Sequence, residues 1–214
     1  MPAERMVTTP KGEARVVTRR AKRPIATLVL THGAGGGIGA QDLVRLARTL
    51  PQQDVSVVLV EMPWRVAGKR MAPAPAVTDE CYTAVLDDLR MRTPLVLGGR
   101  SAGARSACRI AGNVGARGVL ALSFPLHPPG RPEKSRLDEL LDARVRTLVI
   151  QGERDPFGTP EEFPDHVELA VVPAADHSMK VPKTAEVTQA DALAVVLEAT
   201  LEWVVREVVG NPGA

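Results

Sequence analysis

The sequence predicts an α/β protein: a mostly parallel sheet of about seven strands, covered by helices on both faces. Three observations carry this. Short runs rich in β-branched residues alternate with amphipathic segments at helical spacing along the chain. Several of those runs are continuous apolar strings, the pattern of strands buried on both faces. The length, 214 residues, is enough for one substantial core and short of two full domains. Residues 1–214 therefore read as one domain, with residues 1–12 as a candidate disordered arm.

The expected strands are Glu13–Val17, Ala26–His32, Val55–Met62, Pro94–Arg100, Gly118–Phe124, Arg146–Gly152 and Val167–Val172. Between and after them fall helices at Gln41–Leu50, Asp79–Met91, Ala102–Gly112, Arg136–Asp142 and Val187–Val209. The last is the best marked: Leu193, Val196, Leu197, Leu201, Val204 and Val205 recur at three- and four-residue steps, a stripe that core packing explains. The Pro- and Gly-rich loops Ala67–Val77 and Pro125–Pro132 are too short to link domains and read as rims of a site. No long insertion separates the strand ending at Phe124 from the helix near Arg136, so no large lid is expected.

Composition narrows the function classes. Apolar residues make up 44% and charged residues 24%, as in ordinary globular proteins, and the net charge of +2 is too small to imply nucleic acid or a membrane surface. The basic cluster from Lys11 to Arg23 has no aromatic platform and reads as a solvated strand or arm. Cys81 and Cys108 give neither a disulfide framework nor metal-ligand spacing, so both read as reduced core thiols and no metal is expected. No secretory signal or membrane-length apolar run is present, which points to the cytoplasm. Nothing in the pattern fixes an oligomeric state.

Chemistry enters at Gly99-Arg100-Ser101-Ala102-Gly103, a G-x-S-x-G between an expected strand and an expected helix. Such a turn is sharp enough to strain the serine backbone, and only glycine fits two places before and after it. Six serines and 18 glycines would give roughly 0.04 such matches by chance. A serine hydroxyl needs a base to take its proton. His177, on the loop after Val167–Val172, is the candidate base, and Asp155, on the loop after Arg146–Gly152, the candidate acid that orients it. His166 lies at the other end of its strand, and His127, after Gly118–Phe124, reads as a pocket residue. Asp176 adjoins His177 too closely to orient it, and Glu153 is a candidate supporting group.

A second motif, His32-Gly33-Ala34-Gly35-Gly36-Gly37, follows Ala26–Leu30. Its backbone amides are candidates for half of an oxyanion hole, with Ala34 and Ala102 as donors and Gly35 as substitute. His32 reads as structural, hydrogen-bonded beneath the loop. The same run also satisfies G-x-G-x-x-A from Gly35 to Ala40, with Glu61 ending the next strand. That supports a rival reading, an NAD-binding oxidoreductase with Gly35 and Gly37 at a pyrophosphate and Glu61 on a ribose.

These segments, with Gln151–Gly158 and Ala175–Lys183, resemble the small lidless α/β-hydrolases often labelled dienelactone-hydrolase-like. The likeness runs from about Thr27 to the final helix and includes Phe124–Gly130, which is similar to a segment of the hydrolase-like domain of a eukaryotic chromatin-associated subunit. The order Ser101, Asp155, His177 is the order of that fold. The resemblance implies an α/β-hydrolase fold, a cofactor-free Ser-His-Asp mechanism and a small-molecule acyl substrate, an ester or thioester. Dienelactone hydrolase itself carries cysteine where this chain has Ser101, so its substrate does not transfer. Relatives that have lost activity keep the fold, which makes an inactive interaction module the alternative. Strand-end loops nominate Trp64, Arg65, His127 and Pro128 as pocket residues.

Overall fold

The computed structural model describes residues 2–210. Its strands are β1 (Ala3–Thr9), β2 (Gly12–Arg19), β3 (Ala26–Thr31), β4 (Val55–Glu61), β5 (Leu95–Arg100), β6 (Gly118–Leu122), β7 (Arg146–Gly152) and β8 (Glu168–Val172). The helices are α1 (Gln41–Thr49), α2 (Pro63–Val66), α3 (Pro75–Leu89), α4 (Ala102–Ile110), α5 (Leu137–Leu141) and α6 (Gln189–Trp203), the last running on into a π-helical turn, Val204–Val209. One sheet holds all eight strands in the order β1-β2-β4-β3-β5-β6-β7-β8. β1 and β2 run antiparallel to their neighbours, and β3 to β8 are parallel.

The segment expected to be a disordered arm is instead the edge strand β1. It pairs with β2 from Ala3 opposite Thr18 to Thr9 opposite Gly12. Only Val7 and Thr9 of this strand are buried, so the ladder and those two side chains fix it without an apolar run. A Thr9 hydroxyl donated to the Gly12 carbonyl at 2.7 Å closes the hairpin.

The central strands β3 to β7 bury both faces, as their unbroken apolar runs require. Leu28 and Leu30 of β3 and Val57 and Leu59 of β4 pack with Leu43 and Leu46 of α1 and with Val196 and Trp203 at the end of the chain. The alternate residues Val29, Val58 and Val60 turn to the other face, against Tyr82 and Val85 of α3 and Ala104 and Ala107 of α4. Each fully buried aliphatic side chain contributes about 1.5–3 kcal/mol. Cys81 and Cys108 are free and buried, and burial pushes the Cys108 thiol up to about 12, which leaves it inert. Among the described residues no helix is long and apolar enough to cross a membrane.

This topology sets up the site. The chain leaves β3 for β4 on one side and returns to β5 on the other, so the loops after β3 and β5 open side by side at the carboxyl edge of the sheet. The loops after β7 and β8 emerge at the same edge because those strands are parallel to β5.

Close packing across the centre makes one strand glycine indispensable. A Cβ at Gly98 would stand 2.5 Å from the Leu120 carbonyl oxygen and 2.9 Å from Leu30 Cδ2. Gly98→Ala is expected to lower stability by about 1–3 kcal/mol, read as a lower urea midpoint at unchanged slope. Gly112→Ala, with nothing within 4 Å of its Cβ, should leave the midpoint in place.

Candidate active site

At the end of β5 the backbone turns into α4 through Ser101, whose φ of 53° is one that L-residues avoid. Such strain costs about 1–3 kcal/mol and persists only where neighbours enforce it. The glycines on either side permit the enforcement. A Cβ at Gly99 would stand 2.7 Å from the Gly103 carbonyl carbon, and one at Gly103 2.8 Å from the His32 carbonyl oxygen. The Ser101 amide donates to Leu122 O at 2.9 Å and its carbonyl accepts from the Arg105 amide at 3.1 Å, so the residue is pinned from both ends. Its side chain is left half-buried at the sheet edge.

Across from it, His177 Nε2 lies 3.0 Å from Ser101 Oγ, and His177 Nδ1 lies 2.7 Å from Asp155 Oδ2. The structure thus brings the three residues named from sequence into one chain of hydrogen bonds. Asp155 is fully buried, and an acceptor-only carboxylate there forces Nδ1 to carry a proton, leaving Nε2 free to accept from the serine hydroxyl. Three donors hold the carboxylate: the Phe157 amide on Oδ1 at 2.9 Å, and Gln151 Nε2, at 3.0 Å, beside the imidazole on Oδ2. Gln151 Nε2 also reaches the Gly158 and Phe124 carbonyls at 2.8 and 3.2 Å, which ties the acid loop to β6. Phe157 stacks on the His177 ring, centroids 4.1 Å apart and planes 29° from parallel. The β8 loop is drawn back over β7 because Gly152 has no side chain: a Cβ there would meet the Ala175 and Asp176 carbonyl oxygens at 2.6 and 2.8 Å. Glu153 fastens that loop by accepting the Ala174 amide at 2.6 Å, and Asp176 closes a turn, accepting from the Ser178 and Lys180 amides at 2.7 and 3.0 Å.

The glycine loop after β3 abuts the serine, with a Cβ built on Gly33 only 3.3 Å from Ser101 Cβ. His32 is buried beneath it. Its Nε2 accepts the Met62 amide at 3.0 Å, which leaves Nδ1–H to donate to Gly33 O at 2.8 Å, and burial keeps the ring neutral by lowering its pKa. Trp64, expected in the pocket, is buried against His32 with ring centroids 5.3 Å apart and donates from Nε1 to Ala34 O at 3.4 Å. Because a trans peptide points its N–H opposite its C=O, these bonds turn the Ala34 and Gly35 amides away from His32 and Trp64. Ala102 N–H opens the first turn of α4, where amides have no intrahelical acceptor. Glu61 is held by Arg15 Nε at 2.9 Å, and its other carboxylate oxygen lies 3.0 Å from where a Cβ on Gly37 would stand, so it packs under the glycine loop.

With this geometry in hand, the alpha/beta hydrolase domain family model matches residues 24–205. The chain belongs to the α/β-hydrolase family. Solved structures agree on the fold, at identities that speak to the fold alone. An α/β serine hydrolase without a lid from Xanthomonas campestris superposes with a TM-score of 0.73 at 17% identity, covering 99% of this chain and 97% of that one. Dienelactone hydrolase from Anabaena variabilis gives 0.72 at 17%, covering 97% and 99%. Est1E from Butyrivibrio proteoclasticus gives 0.71 at 14%, covering 95% and 99%.

In this hydrolase His127 and Pro128, expected to line the pocket, meet each other, and His127 meets Glu162. The His127 ring is buried, with Nδ1 2.9 Å from Pro128 O and Nε2 2.8 Å from Glu162 Oε2. Both partners are acceptors, so the ring engages both only when doubly protonated. The Pro128 carbonyl, then Glu162, raises its pKa against some desolvation, while the Thr159 amide and His127 hold Glu162 low. The backbone amide of His127 donates to Phe157 O at 3.0 Å, so the clamp braces the loop that carries Asp155. Arg65 folds back to Lys69 O at 3.3 Å.

The His127–Glu162 clamp predicts a pH window for stability. A raised histidine pKa stabilises below the ordinary value of 6.5 and is lost as pH rises through the folded value; a depressed glutamate pKa stabilises above 4.5 and is lost as pH falls. The gap in melting temperature between wild type and His127→Gln should therefore be widest between those two values and narrow toward alkaline pH. A gap independent of pH would show that the ring is not a charged partner of Glu162.

Proposed function

We propose that this hydrolase cleaves small acyl esters or thioesters through an acyl-enzyme on Ser101, with His177 as general base and acid and Asp155 as its orienting partner. The observation that carries the reading is the unbroken relay from Ser101 Oγ through both imidazole nitrogens to a fully buried carboxylate, 3.0 and 2.7 Å per link. No other arrangement of the named residues gives a hydroxyl a base and that base a fixed tautomer.

Ser101 Oγ adds to the acyl carbon as its proton passes to His177 Nε2. The imidazolium so formed is stabilised by Asp155 through Nδ1. When the tetrahedral intermediate collapses, the bond to the alcohol or thiol breaks and the leaving group takes the proton from Nε2. Water then adds to the acyl-enzyme, giving its proton to Nε2, and the second collapse returns that proton to Ser101 Oγ and releases the acid. The oxyanion is assigned to the amides of Ala102 and Ala34, with Gly35 as substitute. Two such donors each contribute about 3 kcal/mol to the transition state. No cofactor enters this sequence. The absence of a lid and the partial exposure of Ser101 favour short, water-soluble acyl groups over lipids.

A fluorophosphonate probe and an activated acetyl ester test this. Wild type should form an adduct at Ser101 and turn over the ester. Ser101→Ala should abolish the adduct and lower kcat roughly a million-fold, and Asp155→Asn should lower it about ten-thousand-fold by favouring the wrong tautomer. Folded wild type that neither labels nor hydrolyses is a non-catalytic module, and the proposal is then wrong.

A further inference from the structure

Arg100 occupies the variable place just before the serine, and its side chain is 86% shielded from solvent, leaving 14% exposed. Its guanidinium makes two contacts in different directions. Nη2 donates to the main-chain carbonyl of His177. Nε faces Asp42 Oδ2 at 3.0 Å, an ion pair with a carboxylate only 1% exposed in the first turn of α1. Asp42 is held in turn by the Leu43 amide on Oδ1 at 2.9 Å. Burial pushes the Asp42 carboxyl up, and Arg100 is the largest influence opposing it. The serine relay uses neither residue.

We propose that Arg100, anchored by Asp42, is a positioning residue that fixes the main chain of His177 against the elbow and so sets the distance from His177 Nε2 to Ser101 Oγ. This rests on the reading of Ser101 and His177 as the reacting pair. The physical case is one of leverage. His177 lies on the connection between β8 and α6, in the turn that Asp176 closes rather than in a helix or strand. Asp155 and Phe157 engage its ring, yet neither touches the main chain from which the ring springs, and a shift of that main chain moves Nε2 relative to Ser101 Oγ. A charge-assisted bond to the His177 carbonyl fixes the peptide plane from which the side chain springs. Because the donor is the residue directly before the nucleophile, any shift of the elbow carries base and hydroxyl together. Arginine suits this place: Nη2 donates to the His177 carbonyl while the other edge of the same rigid plane stays in ion-pair contact with Asp42, whereas a lysine ammonium is a single point on a flexible stem.

The test is Arg100→Lys, which keeps a cation beside Asp42, with Asp42→Asn as a second variant of nearly unchanged shape. Both are measured for melting temperature, fluorophosphonate labelling rate, kcat and KM on an activated acetyl ester, and the downfield proton resonance of His177 Nδ1–H. Arg100→Lys is expected to stay folded, to lose about 10- to 100-fold in labelling rate and kcat, the effect of a sub-ångström to 1 Å misplacement, with little change in KM, and to shift or broaden the resonance. Asp42→Asn should move the same readouts in the same direction by less. Wild-type labelling rates and an unmoved resonance in both variants overturn the proposal, as does a loss that merely follows the unfolded fraction. Wild type that fails to label overturns the Ser101 reading itself, whereas labelling of wild type and Arg100→Lys at one rate overturns only the role given to Arg100.

Discussion

The approach of β5 to the first turn of α4 is the constraint on which the site depends. The chain reverses there within a few residues, and the space it reverses in has no room for a methyl group at Gly99 or Gly103. The strand itself is locked between β3 and β6, and α4 is packed beneath through Ala104 and Ala107. Ser101 cannot relax to an ordinary φ without moving one of these bodies, so its side chain is held outward at the sheet edge. The hydrophobic core thereby stabilises a backbone conformation that no local preference would choose.

The far side of α4 is held as firmly by charge. Arg105 and Arg109 both reach Glu139 at the start of α5, at 2.6 and 2.5 Å, and Arg109 also pairs with Asp79 of α3 at 2.7 Å. Burial would raise the Glu139 carboxyl, and the two guanidinium groups outweigh it and hold the pKa below the ordinary value. Ser106 adds a 2.6 Å hydrogen bond to Asp79. These groups are about one-fifth to one-quarter exposed, so the network matters more for fixing the angle of the helix than for net stability.

What could be read from the sequence follows from where information is local. Strands buried on both faces announce themselves as apolar runs, and β3 to β7 are legible for that reason, whereas the half-exposed β2 and β8 are legible from their β-branched residues. β1 carries only two buried side chains and depends on its ladder to β2, which no single-strand pattern reveals. α2 is one turn long, and α3 begins at Pro75 rather than Asp79; proline at the first helical position was the available signal for that earlier start. Ser101, Asp155 and His177 were legible because each ends or follows a recognisable strand in the order the fold uses. Gln151 and Phe157 were not, since one sits inside a strand and the other acts by stacking, and both roles exist only after the loops fold together. The contact of His127 with Glu162 is hidden for the same reason: its position in the chain puts it at the right edge, and only the folded loops show its ring turned to a partner 35 residues away.

The parallel sheet has a further consequence for the way the molecule is made. The serine and the glycine loop beside it lie in the first half of the chain, whereas Asp155, Gln151 and His177 all follow residue 150. Trp203, at the end of α6, caps the strand that carries Gly118, its ring 2.7 Å from where a Cβ on that glycine would stand. A nascent chain emerging from the ribosome thus exposes its hydroxyl long before the imidazole of His177 can reach it, and the relay is completed only by the last third of the polypeptide.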